Sequence, residues 1–412
     1  MADSRPSPRS IREEAVRVAT RLRRFGFESL FAGGCVRDRL LGIEPREYDI
    51  ATSATPEEVK RVFPRAIGVG ESFGVMLLRS GGITFEIATF RTDGGYVDGR
   101  HPTEVRFAGA EEDAKRRDFS INGLFERPES GEVVDFVGGR ADLEARLLRA
   151  IGDPAARLAE DRLRALRAVR FAARFELTVD PATEAAILAL DGELLGVSRE
   201  RLGQELRRMF ASPHRATAAA LLERWSLDRV LLGTHGLAEK LTRLGALPPD
   251  ASAMASLAAW LLDRAEATDP SATAERLQGG LGLSNAEREE LAAVLRSVES
   301  LRAEWARAGI ARRRRLGMEP GFDPAVIIRE AEAPGEGRSA TAFLEGFGPE
   351  RSPDRLVRGR DLIDAGFVPG PRFGDLLEAV YDAQLEGRVH SRGEAMAFVA
   401  RLDLGSGPSR NP

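Results

Sequence analysis

Apolar residues return at helical spacing through Ile11, Ala15, Val18, Leu22 and Phe25, which predicts an opening helix that Gly26 ends. Ser29-Leu30-Phe31-Ala32 then reads as a strand entering a glycine turn, with a helix leaving it from Val36 to Leu41. A second strand is expected at Tyr48 to Ala51. Thr55-Pro56-Glu57-Glu58 is a capping box with proline at the first helical position, so a short helix should run from there to about Phe63. The stretches Phe73 to Arg79 and Ile83 to Phe90 flank Ser80-Gly81-Gly82 and predict a β-hairpin. Residues 91–110 are polar and glycine-containing and read as a long loop, after which Glu111 to Arg117 is helical. From Asp142 onward the strand signals fade, and helical periodicity dominates between breaks at Gly152-Asp153-Pro154, Val179-Asp180-Pro181 and Ser212-Pro213. The pattern predicts an α+β chain, with a mixed α/β N-terminal unit and an all-α remainder.

This layout puts chemistry at the glycine turn. Gly33 and Gly34 carry no Cβ, so the backbone can approach a phosphate closely, and the first amides of the following helix can face that anion. Arg37 and Asp38 follow at the start of that helix. Glu47 and Asp49 stand at i and i+2 of an extended segment, so both carboxylates project from one face and can share divalent cations. A phosphate cradle beside paired carboxylates is what two-metal nucleotidyl transfer requires. Glu86 shares a strand face with Thr84 and Ala88, away from Phe85 and Ile87. It is either a third carboxylate, buried and liganded, or an exposed residue of a half-solvated hairpin.

Composition narrows the choice. Hydrophobic residues make up 43% and charged residues 30% of the 412, the profile of a soluble globular protein of several modules, and no apolar run of membrane-spanning length occurs. The polar N-terminus, Met1 to Ser10, lacks a secretory core, which points to the cytoplasm. Cys35 is the only cysteine and the four histidines are scattered, so catalysis should fall to carboxylates. A net charge of −4 argues against a broad basic field, and any RNA contact should be a local patch. Lysine occurs only at 60, 115 and 240; the uniform excess of arginine that replaces it receives no functional weight.

Gly33-Gly34-Cys35-Val36-Arg37-Asp38 with Leu40-Leu41-Gly42, followed by Tyr48-Asp49-Ile50-Ala51-Thr52, resembles the signature of the class II tRNA nucleotidyltransferase and bacterial poly(A) polymerase family of the polymerase-β-like superfamily. Arg116-Arg117-Asp118-Phe119-Ser120-Ile121-Asn122 is similar to its second motif, linked to sugar discrimination, and Glu160-Asp161-Arg162-Leu163-Arg164 to its Glu-Asp-x-x-Arg motif. The resemblance runs from about residue 28 to about 212 and implies a polymerase-β-like head (1–141), a neck with the base-selecting helix (142–215), a helical body (216–330) and a helical tail that binds tRNA (331–412). It implies addition of C and A to the 3′ end of tRNA from CTP and ATP with Mg²⁺, and no stable protein partner. Glu47, Asp49 and Glu86 would be catalytic, the first two as metal ligands. Gly33, Gly34, Arg37, Asp118, Asp161, Arg164 and Arg167 would bind the nucleotide. The family usually has aspartate where this chain has Glu47, which bears on metal geometry.

Without the family, Asp161 and Arg164 lie at i and i+3 of one helical face, where they make either a surface ion pair or a donor and acceptor for a base edge. Arg312, Arg313, Arg314 and Arg315 form a basic run that is either a solvated helix face or a phosphate-contacting patch for RNA. The loop at 91–102, with Gly94, Gly95, Gly99, Asp98 and Arg100, suits a lever that shifts the site from C to A. The family resembled above associates loss of that element with CC-only addition, so the resemblance implies complete or A-adding activity, and the long basic C-terminal extension of many poly(A) polymerases is not expected here. A catalytically silent RNA-binding protein is the reading from another class, motivated by Glu47.

Overall fold

The structure is a computed structural model that describes residues 7–70, 74–93, 105–234, 236–348 and 351–404. The glycine-rich part of the expected loop, 94–104, and Phe73 of the expected hairpin lie outside the described residues, as do His101 and His235. The chain divides into two compact units, Met1–His235 and Gly236–Pro412.

The first unit is built on a mixed sheet. Its strands among the described residues are β1 (Ser29–Ala32), β2 (Ile50–Thr52), β3 (Ile67–Gly70), β4 (Val75–Ser80), β5 (Ile83–Thr89), a two-stranded ribbon β6 (Arg91–Asp93) and β7 (Val105–Phe107), then β8 (Leu124–Glu126) and β9 (Val133–Asp135). The sheet runs β3-β4-β5-β2-β1-β8-β9, and β2 with β5 is its parallel pair. β1 is buried along its whole length because it lies centrally, between β2 and β8. Helix α1 (Pro8–Arg24) packs on β1 and β2, with Ala15, Val18, Ala19 and Leu22 in the core. Helix α2 (Gly34–Leu40) follows β1 directly, and α3 (Pro56–Val62) carries the expected capping box between Thr55 and Glu58. The hairpin turns through Gly81 and Gly82 with φ +57° and +81°, the left-handed pair a tight two-residue hairpin needs.

Helix α4 (Ala110–Lys115) covers one sheet face, where Ala110 and Ala114 join Leu30, Ala32, Ala51, Phe90 and Phe125 in one apolar cluster. Helix α5 (Gly139–Glu144) leads into α6 (Pro154–Glu160), α7 (Leu163–Phe175), α8 (Pro181–Leu188), α9 (Arg199–Phe210), α10 (Arg215–Arg224) and α11 (Asp228–Leu232). The expectation of an all-α remainder needs one correction: Leu147–Leu148 pairs in parallel with Thr178–Val179 as β10 and β11, closing the loop around α6 and α7.

The second unit is helical: α12 (Thr242–Ala246), α13 (Ala253–Asp263), α14 (Pro270–Leu281), α15 (Asn285–Ala303), α16 (Ile310–Leu316), α17 (Phe322–Glu332), α18 (Glu336–Glu345), α19 (Gly359–Asp364), α20 (Pro371–Leu385) and α21 (Arg392–Leu404). Helix α13 is buried from Met254 through Leu262, as its apolar sequence on every side requires. Glu332 at the end of α17 gathers Arg243, Arg302 and Arg329. Among the described residues no helix is long and apolar enough to cross a membrane.

Candidate active site

A cleft of about 1300 Å³ opens in the first unit, where the end of β1 meets α2, the approach to β2, the edge of β5 and the α6–α7 turn. It brings together Gly33, Gly34, Arg37, Glu47, Asp49, Glu86, Asp118, Asp161, Arg164 and Arg167. Gly33 has φ +68°, a conformation that favours glycine, and a Cβ there would lie 2.7 Å from Arg117 Nη1, so that guanidinium would have to shift to admit one. The helix accordingly starts at Gly34, two residues before the expected Val36, and the first helical bond runs from Arg37 N–H to the Gly33 carbonyl at 3.0 Å.

The acidic side departs from expectation in detail. Strand β2 starts at Ile50, so Glu47 and Asp49 stand in the extended approach to it, although the Asp49 carbonyl still accepts from Ala32 N–H at 3.0 Å. Tyr48 between them is buried, its ring 4.9 Å from that of Phe31, which turns its two neighbours outward. Ile50 pairs with Ile87, and one step back the same register sets Asp49 beside Glu86. Glu86 lies on the open face of β5, exposed, while Phe85 and Ile87 are buried. Glu86 is thus not buried, and the open face it stands on is the wall of the cleft, where it can still serve as a third carboxylate beside Asp49. Asp49 is solvent-accessible but enclosed by the cleft, and its carboxyl is pushed up to about 6 by burial and then by Glu86 and Glu47, with Arg117 opposing. Carboxylates crowded without a matching cation form a hard oxygen donor set that fits a divalent ion. Among the described residues no three acidic, histidine or cysteine side chains close into a metal cage. Glu47 and Asp49 could hold an ion only in an open arrangement, one that leaves room for waters and phosphate oxygens in its shell.

The opposite side is basic and tightly ordered. Asp113 of α4, 2% exposed in its side chain, accepts from Arg116 at 2.6 Å and from Arg117 at 3.0 Å, so one buried acid sets both guanidiniums. Asp118 is buried, which alone would raise its pKa, but Arg167, Asn122 Nδ2 and the Phe119 amide hold it down to about 2. Asn122 also accepts from Arg37, whose other donors go to Asp38. Arg37 and Arg167 thus reach the cleft with part of their hydrogen-bonding already committed.

Asp161 and Arg164 do not share a helical face as their spacing predicts. Asp161 falls in the break between α6 and α7, with φ −152° and ψ 102°. Its Oδ1 accepts from Leu163 N–H at 3.1 Å and its Oδ2 from Arg201 at 2.6 Å. Arg164, the second residue of α7, donates to Glu160 at 2.6 Å and to the Arg157 carbonyl at 2.7 Å. Both still line the cleft, each tied to a separate partner. Arg117, quoted in the sequence only as part of the second motif, and Arg170, Arg174, Arg201 and Arg208, which sequence reasoning missed, complete the basic wall. A side cavity of about 450 Å³, lined by Glu47, Arg170, Arg174, Arg208 and His214 among others, adjoins the cleft.

The basic run of the second unit lies on α16. Arg312 pairs with Glu304 at 2.7 Å, and Arg313 donates to the Trp305 carbonyl at 2.9 Å. Arg314 donates to the Leu385 carbonyl at 2.9 Å, and Arg315 pairs with Asp382 at 2.7 Å. All four have partners within their own unit.

Residues 29–149 match the family model described as the poly A polymerase head domain, and residues 176–234 the one described as a probable RNA and SrmB-binding site of polymerase A. A CCA-adding enzyme of Limosilactobacillus fermentum is 33% identical over 385 residues, 92% of this chain and 93% of that protein. The match to the CCA-adding enzyme of Geobacillus thermodenitrificans is 42% identical over 224 residues and spans about half of either protein, 54% of this chain and 55% of the relative. The crystal structure of the Bacillus stearothermophilus CCA-adding enzyme in complex with CTP aligns with a TM-score of 0.79 at 29% identity, covering 95% of this chain and 98% of that one.

Proposed function

We propose that this chain, which belongs to the family of CCA-adding enzymes, adds C and A residues to the 3′ end of tRNA from CTP and ATP in the cytoplasm. The observation that carries this reading is the division of one cleft into a carboxylate side and an arginine side. A nucleoside triphosphate has the matching division, with a reacting phosphorus that needs cations and a polyanionic tail that needs guanidiniums. Gly33 and Gly34 give the tail close approach to the backbone, and Arg37 and Arg117 lie beside them. Glu47 and Asp49 would hold Mg²⁺, which when bound activates the attacking hydroxyl and screens the leaving group. The 3′-oxygen forms a bond to the α-phosphorus as the bond to the bridging oxygen breaks, pyrophosphate departs, and the hydroxyl proton goes to solvent. The side cavity shares Glu47 with the main cleft and is rich in arginine, so it suits the phosphates of the accepting RNA end. Asp161 and Arg164 would read the base.

The test is incubation of the protein with tRNA transcripts ending before C74, after C75 and after A76, each with CTP, ATP or both. Two C additions from CTP, one A addition after C75 and no extension after A76 are expected. Long tails from ATP alone would establish poly(A) synthesis instead, and no incorporation with any transcript would refute the reading.

A further inference from the structure

Asp161 sits in the turn between α6 and α7, so no helical hydrogen bonding fixes where its carboxylate points. Two ties from outside its own residue do so. One is the Leu163 amide, local to the turn. The other is Arg201, which crosses from α9 to Oδ2 at 2.6 Å. One turn further along α9, Glu205 takes Arg170 of α7 at 2.7 Å, with Glu205 2% exposed in its side chain. Helix α9 therefore offers α7 and its entry turn a cation and an anion four residues apart, matched to an anion and a cation. Opposite-sign pairs at both positions fix the register between the two elements, because a slip would set like charges together.

Arg201 itself is partly exposed toward the cleft it lines, and its Nη1 is buried without a hydrogen-bond partner among the described residues. The guanidinium meets Asp161 through Nη2. The consequence concerns the base. Cytosine and adenine present an amino group where uracil and guanine present a carbonyl oxygen. A carboxylate fixed as a pure acceptor attracts the first and repels the second.

We infer that Arg201 is a positioning residue for base choice: it holds Asp161 as an aimed, acceptor-only carboxylate and so sets the preference for CTP and ATP over UTP and GTP. This rests on the nucleotidyl-transfer reading above. Without Arg201 only the Leu163 amide still ties the Asp161 side chain, which is then free to turn its acceptors away from the base.

The experiment measures kcat and KM for CTP, UTP, ATP and GTP on a tRNA transcript lacking its 3′ end, with the full chain and Mg²⁺. Arg201→Ala should lower the CTP-over-UTP and ATP-over-GTP ratios of kcat/KM by about tenfold or more, the scale of a charge-assisted hydrogen bond. The KM for tRNA should stay unchanged. Arg201→Lys should restore part of the ratio, and the Asp161→Ala, Arg201→Ala double variant should discriminate no worse than Asp161→Ala alone. Should Arg201→Ala fail to fold, Arg201→Gln carries the same comparison. Unchanged ratios, or an equal loss with all four nucleotides, would overturn the inference. A wild-type chain that incorporates nothing would instead overturn the function on which it rests.

Discussion

Asp49→Asn should make the metal-free protein more stable at neutral pH while removing its activity. Burial, then Glu86 and Glu47, push the Asp49 carboxyl from its ordinary 3.8 up to about 6. A group whose folded-state pKa lies above its unfolded value favours folding in its protonated form. That contribution is complete below about pH 3.8 and is lost as pH rises through about 6. Above that window the ionised carboxylate works against the fold. A gap of roughly two units would correspond to about 3 kcal/mol in an enclosed position, but Asp49 opens onto solvent, and screening reduces the figure to about 1–1.5 kcal/mol. Asparagine keeps the shape and removes the charge. For a unit of this size the gain amounts to roughly 2–5 °C in Tm.

The assay is thermal unfolding of wild type and variant in chelator at pH 7.5 and at pH 5. At pH 5, midway between the ordinary 3.8 and about 6, the difference should fall to roughly half of its value at pH 7.5, and it should vanish only below about pH 3.8. Addition of Mg²⁺ at pH 7.5 should raise the wild-type Tm and leave the variant unmoved, since the ion binds only the native, ionised pair. A variant no more stable than wild type at pH 7.5, or a difference independent of pH, would refute the picture of an uncompensated carboxylate cluster.

Gly33→Ala should cost about 1–2 kcal/mol from its left-handed backbone, and it should lower kcat further because the Cβ displaces Arg117; kinetics with parallel unfolding curves separate the two effects. Asp118→Asn leaves the Arg167 guanidinium short of its counter-charge and should cost about 3–5 kcal/mol. Because the Asp118 carboxyl is held down to about 2, its contribution is present above about pH 3.8 and lost as pH falls toward 2, so the variant should also show a shallower acid-unfolding curve over that range. Glu332→Ala removes the acid shared by Arg243, Arg302 and Arg329 and should destabilise the second unit by a similar amount, read by denaturant unfolding, with no change in KM for CTP.

Local signals in the sequence located most of the head. The strand into Gly33-Gly34, the Thr55 capping box and the Gly81-Gly82 hairpin each follow from a few neighbouring residues, and each appears where it was expected. What escaped was decided by partners far along the chain. Strands β8 and β9 are three residues each, too short for any alternation to be visible, and they exist because β1 offers an edge to β8 and β8 in turn to β9. The periodicity through Glu160 and Arg164 ran unbroken across Asp161. The helix nevertheless stops there, and Arg201, 40 residues away, takes the freed carboxylate.

Arginine shows the same limit from the other direction. As a bulk excess it carried no functional message, and the run at 312–315 drew attention only because its members are adjacent. In the structure that run is engaged with carbonyls and carboxylates of its own unit, whereas the cleft draws Arg37, Arg117, Arg164, Arg167, Arg170 and Arg201 from four separate helices and turns. A guanidinium can hold a buried acid with one edge and present the other to a ligand, which a lysine ammonium does less well. Asp113, Asp118 and Glu205 anchor their arginines in this way and so determine where the positive wall of the cleft stands; of the three only Asp118 was expected at the site from the sequence.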